Sequence, residues 1–249
     1  MALAWAVKRR VAVIVFLIVV LGGGGTLYWY VTKPLPSCFD RKQNQDEEGV
    51  DCGGKSCVPC AAQIKEPVVL WSRFFPLHEG TVDVAALVQN PNEFLQASGL
   101  SYVFKVFDSK NLLIAVREGK TFLEPSARTI LFEPDIPIGQ RVAAKAFVEL
   151  GSALWQKKEP AVLQINILKL EPFLQTPFPR LEAQIKNDGT TPYHNIEVTA
   201  VLWADDRAVG VSRTILDALG LDQERNLAFT WPDAIAGVTR AELFFRQLP

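Results

Sequence analysis

The sequence has few residues that could perform acid–base or nucleophilic catalysis. Only two of its 249 residues are histidines, His78 and His194, and both lie beside proline, glycine or aromatic residues, as surface-turn histidines do. The chain also lacks a Gly-x-Ser-x-Gly nucleophile motif, a phosphate-binding loop, a His-Glu-x-x-His zinc motif and a dinucleotide-binding fingerprint. These absences predict a protein that is not an enzyme and has no catalytic residues.

The chain lacks a basic patch as well. It has 26 Lys and Arg residues against 27 Asp and Glu residues, a net charge of −1. Four of the cations lie at or before Lys33, so residues 34–249 carry 26 − 4 = 22 cations against 27 acids, a charge of −5. This balance argues against a nucleic-acid partner.

Cysteine is absent from the last 189 residues. The four cysteines share the spacing C-x13-C-x4-C-x2-C, and they are Cys38, Cys52, Cys57 and Cys60. Outside the cytoplasm such a cluster is expected to form two disulfides, for which three pairings are possible. Zinc is the competing chemistry, but it usually takes two C-x2-C arms and only one is present. The sequence therefore predicts a disulfide-rich module over residues 34–61.

Long apolar runs are also scarce, with one exception at the N-terminus. Val11 to Val31 contains no charge and, as a helix, would be about 30 Å long, which matches the hydrocarbon core of a bilayer. Lys8, Arg9 and Arg10 precede the run, so we expect residues 1–10 in the cytoplasm, an uncleaved single-pass helix over 11–31, and the remaining chain outside. The alternative is a cleaved signal peptide, since Val11 to Leu21 could serve as its apolar core.

Oxygen-bearing side chains are dense between the first two cysteines. Asp40, Asn44, Glu47 and Asp51 lie on a loop that disulfides would close, and hard oxygen ligands of this kind suit calcium. Their spacing is not that of an EF-hand, and a solvated acidic turn is the alternative. We name these four residues as candidate calcium ligands.

The same segment resembles a small cysteine-rich motif of bacterial exported proteins. The matching residues are Cys38-x-Asp40, Asn44-x-x-Glu47 and Asp51-Cys52-Gly53-Gly54-x-x-Cys57-x-x-Cys60, against C-x-D-G-x-x-N-x-x-E-x-x-x-D-C-G-G followed by a C-x-x-C pair. Arg41 stands where the motif has glycine. The resemblance implies a bacterial, exported protein and favours a calcium-type site.

Beyond Ala61 the chain changes to short apolar runs broken by Pro, Gly, Asn and Asp, the pattern of β-sandwiches. Residues 66–150 are predicted to form a first sandwich. Its strands include Thr81 to Gln89, with Val82, Val84, Ala86 and Val88 on one face, and a hairpin of Ser101 to Phe107 with Leu112 to Val116.

Val88-Gln89-Asn90-Pro91 and the hairpin residues Phe104-x-Val106-Phe107-Asp108 resemble the signature of FxLYD domains and related late-embryogenesis-abundant-type sandwiches. The resemblance implies an immunoglobulin-like fold and transfers no catalytic residue.

Residues 151–160, polar and ending at Pro160, are predicted to be a linker to a second sandwich over 161–249. In it, Leu181, Ala183 and Ile185 alternate with polar residues, and Ile196, Val198, Ala200 and Leu202 share the face of the next strand. Arg213 to Gly220 is interpreted as an irregular helical turn. A weak repeat supports two related units, because Asn90 precedes Phe107 by 17 positions and Asn187 precedes Trp203 by 16.

The predicted fold class is therefore mainly β, with one N-terminal transmembrane helix, a small disulfide-rich module and two immunoglobulin-like sandwiches. The predicted function is a non-enzymatic, single-pass, extracytoplasmic binding or scaffolding protein of the bacterial cell envelope, with protein partners. The alternative is a calcium-stiffened stalk or sensor at the membrane surface.

Overall fold

The structure is a computed structural model that describes residues 2–32, 37–77, 80–171, 173 and 179–249. Within this part the chain is mainly β with one long N-terminal helix, as predicted, and it has 13 strands. The chain divides into two compact units, residues 1–57 and residues 58–249.

The long helix, α1, spans Ala2–Thr32. It begins nine residues before the predicted run. The residues before that run include Ala, Leu, Trp and Val followed by Lys and Arg, and all of these are compatible with a helix. Within it, Val7–Thr32 is apolar and long enough to cross a membrane, and its side chains are not buried against other parts of the chain. This composition, so close to the N-terminus, fits a membrane anchor or a signal sequence.

All four cysteines are oxidised, which confirms the disulfide prediction. Cys38 and Cys57 form one disulfide with their Cα atoms 5.5 Å apart. Cys52 and Cys60 are also disulfide-bonded, so none of the four is a free thiol. Residues 34–36 of the predicted module lie outside the described residues. A short 3-10 helix, Ala61–Gln63, follows the last cysteine.

The first sandwich contains seven strands. They are β1 (Val68–Pro76), β2 (Thr81–Gln89), β3 (Leu95–Asp108), β4 (Leu113–Leu123), β5 (Arg128–Pro137), β6 (Ala143–Leu150) and β7 (Leu154–Lys157). One sheet has the order β1-β2-β5, and the other has the order β4-β3-β6 with β7 also paired to β3. The predicted face of β2 lies inside, as do Tyr102, Phe104 and Val106 of β3. Because these alternate residues are apolar, the strands bury one face each between the two sheets.

The second sandwich contains six strands. They are β8 (Ile165–Leu170), β9 (Arg180–Asn187), β10 (Tyr193–Ala204), β11 (Arg207–Leu219), β12 (Glu224–Thr230) and β13 (Arg240–Gln247). Its sheets have the orders β12-β9-β8 and β11-β10-β13. The predicted faces of β9 and β10 form its core, together with Leu227, Phe229 and Trp231.

A third apolar cluster joins the two sandwiches, and the sequence analysis did not predict it. We call it the junction core, and its buried members are Phe75, Ala85, Leu87, Ile130, Phe132, Val201, Trp203, Ala208 and Val211. They come from β1, β2 and β5 on one side and from β10 and β11 on the other, so the two middle sheets stack on each other. β2 and β10 are consequently buried on both faces. Residues 66–249 thus form four stacked sheets.

Two predicted segments differ in the structure. The predicted linker 151–160 contains β7, which pairs with Leu95–Ser98 of β3. β3 is longer than its neighbour β6, and β7 occupies the edge that β6 leaves open. The predicted helical turn at Arg213 to Gly220 is instead the second half of β11, because its alternating exposure and its ladder with β10 favour strand. His78 lies outside the described residues.

The weak repeat in the sequence corresponds to a common structural role of two asparagines. Asn90 and Asn187 are both completely buried. The Asn90 side-chain amide donates to the carbonyls of Leu95 and Glu124, at 2.7 and 3.0 Å. The Asn187 amide donates to Thr191 and Leu219, at 2.9 and 3.1 Å. Each asparagine therefore ties the end of a central strand to the end of another strand and to a loop.

Asp83 is an acidic residue in the middle of β2, where only 8 % of it is exposed. Desolvation raises the pKa of its carboxyl to about 6, although its Oδ1 accepts a hydrogen bond from the Asp135 amide at 2.9 Å. A raised carboxyl pKa favours the folded state below pH 3.8, and this contribution is lost as the pH rises to about 6.

We expect Asp83→Asn to raise the free energy of unfolding at pH 8 by about 1–2 kcal/mol, because asparagine keeps the acceptor without the buried charge; this value is discounted for partial solvent screening. Urea unfolding of both proteins at pH 8 and pH 3.5 measures the difference, which should disappear at the lower pH. An equal difference at both values would contradict the assignment.

Candidate functional site

The predicted calcium ligands serve mainly as hydrogen-bond acceptors within their own loop. Both carboxylate oxygens of Asp51 lie 3.0 Å from the Arg41 amide nitrogen. Asp40 accepts from the Lys42 amide at 2.9 Å and from the Asn44 side-chain amide at 2.8 Å, and the Asn44 bond is the largest of the effects that lower the pKa of Asp40. Glu47 accepts from the Asn44 amide at 3.0 Å. These bonds satisfy backbone amides that have no ladder partner.

These residues do not form a preformed calcium cage. The one cluster of metal-binding residue types among the described residues is Cys38, Glu47 and Cys57, whose ligand atoms lie within 4.8 Å of one another. Both of its sulfurs are in a disulfide, so the thiolates that a metal would need are absent. Asp40, Glu47 and Asp51, all of them described, do not come together at that distance. Calcium binding at Asp40, Asn44, Glu47 and Asp51 stays a prediction without a matching geometry.

Arg41, which stands where the cysteine-rich motif has glycine, adopts a backbone conformation that favours glycine. Arg41 has φ 60°, in the left-handed region that glycine adopts without steric cost. The two glycines of the motif that are present, Gly53 and Gly54, also have positive φ, and a Cβ on Gly54 would collide with the backbone of Asp46. The glycine of the motif thus matches a conformational requirement of the first turn.

We expect Arg41→Gly to stabilise this loop by about 0.5–1 kcal/mol, since the left-handed conformation costs roughly this much for a residue with a side chain. The Arg41 amide, which donates to Asp51, is unchanged by the substitution. Hydrogen exchange of the amides at residues 41–52 should slow about threefold. Arg117→Gly, in a regular strand, is the contrasting variant and should destabilise; faster exchange in Arg41→Gly would contradict the expectation.

A groove of about 990 Å³ lies beside the junction of the two sandwiches. Its apolar lining includes Phe122, Pro125, Pro160, Leu163, Phe245 and Leu248. Its polar lining includes Gln96, Lys120, Glu124, Arg128, Lys158 and Arg246. This volume is at the upper end of the range of about 300–1,000 Å³ typical of ligand sites, and an apolar wall with few polar groups is their usual composition.

Glu124 is the acidic residue of the groove wall. Its Oε1 accepts from the Gln96 side chain at 3.0 Å and from Lys158 Nζ at 2.7 Å. Its Oε2 is buried and has no hydrogen-bond partner within the described part of the chain. A buried carboxylate oxygen without a donor is costly.

Lys120 and Arg128 lie exposed on the wall of the groove and have no ion-pair partner among the residues that the structure describes. Lys158 is neutralised by Glu124. The groove therefore offers two uncompensated cations and an apolar surface. An extended peptide with apolar and acidic side chains has both complementary features.

Arg246 holds the inner wall of the groove in place. Its Nε and Nη2 donate to the carboxylate of Glu197 at 2.6 and 3.1 Å, and its Nη1 donates to Thr121 Oγ1 at 2.8 Å. The guanidinium also lies 5.3 Å from the centre of the Phe122 ring. Arg246 belongs to β13 and Thr121 and Phe122 belong to β4, so this residue connects the two sandwiches across the groove.

The sequence analysis did not predict the groove or the role of Arg246. The groove is lined by residues of β3, β4 and β5 together with the end of β13, and only the folded chain brings these segments together. A partial signal was available in β2 and β10, whose apolar residues are nearly continuous and so indicate strands buried on both faces. His194 lies exposed at the second position of β10 and does not line the groove.

Comparison with known proteins does not place the chain in a family. No protein-family model matches it. No curated protein matches it either. Among solved structures, red sea bream transglutaminase is similar over 74 % of this chain and 29 % of its own, with 9 % identity and a TM-score of 0.22. A TM-score this low does not indicate a shared fold, so neither fold nor activity is transferred to this chain. The resemblances to the cysteine-rich motif and to FxLYD domains stay predictions.

Proposed function

We propose that this protein is a single-pass, membrane-anchored binding arm of a bacterial cell envelope. In this proposal α1 is an uncleaved anchor, residues 1–10 are cytoplasmic, and the disulfide module and both sandwiches are extracytoplasmic. The length and exposure of α1 support the anchor, and the cations before it support the orientation. The oxidised cysteines are consistent with an oxidising compartment.

The groove is the observation that carries the binding function. It lies on a body of four stacked sheets, so its walls are held by two sandwich cores and by the junction core. Such rigidity lowers the entropy that is lost on binding. Its apolar lining and its uncompensated cations favour an extended protein segment with apolar and acidic residues as the ligand.

The anchor and the topology are tested on the full chain in bacterial membranes. We expect the intact mass of the membrane-bound protein to include α1, and protease added to spheroplasts to digest residues 58–249 while sparing the N-terminal tail. A mature protein that begins near Thr26, or sandwiches protected from external protease, would refute this part of the proposal.

The binding role is tested by photocrosslinking in the envelope. A photoreactive phenylalanine analogue replaces Val162, which lines the groove and is 83 % exposed. The matched position is Ala228, exposed on β12 and outside the groove. We expect a discrete crosslinked product from position 162 that Lys120→Glu with Arg128→Glu abolishes. Equal products from both positions, or no product from 162, would contradict a binding groove.

A further inference from the structure

The two sandwiches have the same strand plan. In the first, β1-β2-β5 forms one sheet and β4-β3-β6 forms the other. In the second, β8-β9-β12 and β11-β10-β13 have the same relative orders, with every strand advanced by seven. Asn90 and Asn187 end equivalent strands, and Phe107 and Trp203 lie near the ends of the equivalent strands β3 and β10. The weak sequence repeat therefore reflects a duplicated architecture.

Equivalent sheets have different neighbours in the stack. The β11-β10-β13 sheet of the second sandwich is covered by the β1-β2-β5 sheet of the first, and Trp203 is buried in their junction core. The equivalent sheet of the first sandwich, β4-β3-β6, forms one end of the stack. Phe107, the counterpart of Trp203, lies on its outer face. The surface that is an interface in one sandwich is thus uncovered in the other.

Two of the three central rows of this outer face each contain two apolar side chains and one lysine. The register places Phe107 between Leu113 and Lys145, Lys105 between Val116 and Phe147, and Val103 between Glu118 and Glu149. Leu113, Val116 and Phe147 are about half exposed, at 51 %, 47 % and 53 %. The Phe107 and Phe147 rings are in edge-to-face contact with centres 6.0 Å apart. A contiguous apolar surface of this kind on a sheet is typical of a protein–protein interface.

The β8-β9-β12 sheet at the opposite end of the stack is poorly suited to pack on this face of another copy of the chain. The outer face of β9 carries Arg180, Glu182, Gln184 and Lys186, which alternate with its buried residues. This row has no apolar side chain, whereas five of the nine central residues of the β4-β3-β6 face are apolar, so head-to-tail contact would desolvate charges along the whole central strand. Head-to-tail stacking of copies is therefore disfavoured, and an open filament with it.

We propose that the outer face of β4-β3-β6 binds the same face of a second copy of this chain, forming a two-fold symmetric dimer. The two-fold axis crosses the strands at the middle row, so that Phe107 lies against the partner's Val103. Val116, Lys105 and Phe147 then meet their own counterparts on the axis, and Leu113 lies against the partner's Glu118. This arrangement is isologous and closed, and it buries the apolar residues of both copies.

Charge complementarity selects this axis. It places Lys145 of each copy opposite the partner's Glu149. An axis along the strands would instead bring Glu118 of one copy against the partner's Glu149. Lys105, in the middle row, meets the partner's Lys105 on the axis, and each of these two ammonium groups is paired with Glu149 of its own chain at 2.7 Å. Each Glu149 therefore lies between two cations in the dimer, and the membrane-length helix α1 raises the local concentration of the copies.

The test measures the molar mass of the full chain in detergent by light scattering across a concentration series. The wild type is expected to pass from monomer to dimer. Lys145→Glu and Glu149→Lys each replace two attractive pairs with two repulsive ones, so each should weaken dimerisation at least about tenfold. Lys169→Glu, on β8 of the opposite sheet, is the matched charge reversal and should have no effect.

Mixing supplies the decisive measurement. A Lys145→Glu chain and a Glu149→Lys chain place opposite charges at both contacts of a heterodimer, so the mixture should dimerise although neither variant alone does. A Phe147→Ser variant should be monomeric, with the thermal unfolding temperature of each variant confirming its fold. Three results would overturn the proposal: a monomeric wild type, a mixture that stays monomeric, or a dimer that none of the three variants changes. The last result is expected if α1 alone forms the dimer.

Discussion

Replacing Glu197 by alanine is expected to lower the free energy of unfolding by about 3 kcal/mol, because it leaves two guanidinium groups without their carboxylate partner. Glu197 is only 5 % exposed in its side chain and accepts hydrogen bonds from Arg246, at 2.6 and 3.1 Å, and from Arg213, at 3.4 Å. The Arg246 side chain is itself only 18 % exposed, so water replaces the lost acceptor only in part. Denaturant unfolding of the purified full chain measures the change.

The matched control is Glu242→Ala. Glu242 also pairs with an arginine on β13, at 3.2 Å from Arg240, but both side chains are about half exposed. An exposed pair of this kind contributes about 0–1 kcal/mol, so the control should change stability little. If both variants lost the same free energy, the junction between the sandwiches would not depend on a buried ion pair.

The same substitution is expected to loosen the groove. Without Glu197, Arg246 keeps only its bond to Thr121 and its contact with the Phe122 ring. Its guanidinium is then free to move toward the groove, whose wall it forms. In the photocrosslinking assay at position 162 the product should weaken even at temperatures where the protein is folded. Retention of the full product would show that the wall does not need this ion pair.

Replacing Trp203 by alanine is expected to have the second large effect, a loss of about 3–5 kcal/mol, since it removes a large aromatic side chain from the junction core. Trp203 is 7 % exposed and lies edge-to-face with Trp71, at 6.0 Å between ring centres. The Arg240 guanidinium lies over its ring at 4.4 Å. The burial of Trp203 and its contact with Trp71 depend on the stacking of the two middle sheets.

The form of the unfolding transition distinguishes a junction effect from a simple core defect. Because Trp203 lies between the sandwiches, its removal should weaken their coupling and separate one calorimetric transition into two. Leu221→Ala, at a site 54 % exposed, should leave both the midpoint and the single transition unchanged. A single transition in Trp203→Ala with a lower midpoint would mean that the sandwiches do not unfold independently.

Local patterns in the sequence were enough to predict the elements and several of their buried faces. The alternation in β2, β9 and β10 identified residues that are buried in the two sandwich cores, because the period of a strand is fixed by its backbone. The four clustered cysteines predicted disulfides through their spacing and the expected compartment. The length of Val11 to Val31 predicted a membrane-length helix from the rise of a helix alone.

Local patterns were misleading where a neighbour from elsewhere in the chain decided the outcome. Residues 151–160 read as a linker, yet β7 forms there because β3 has an open edge that a four-residue strand can fill. Arg213 to Gly220 contains no strong strand signal, yet the ladder with β10 makes it a strand. The acidic loop favoured calcium by composition, and calcium binding stays a prediction, while two of its carboxylates accept hydrogen bonds from backbone amides of the same loop.

The sequence by itself determined the membrane-length helix, the oxidised cysteine module and the presence of two related sandwiches. Only the tertiary structure decided that the sandwiches share a junction core, that Arg246 connects them beside a groove, and that the face around Phe107 is uncovered while that around Trp203 is buried. Strand periodicity shows which residues share a face, but the partner of a face is chosen by surfaces far away in the chain, and no local pattern records that choice.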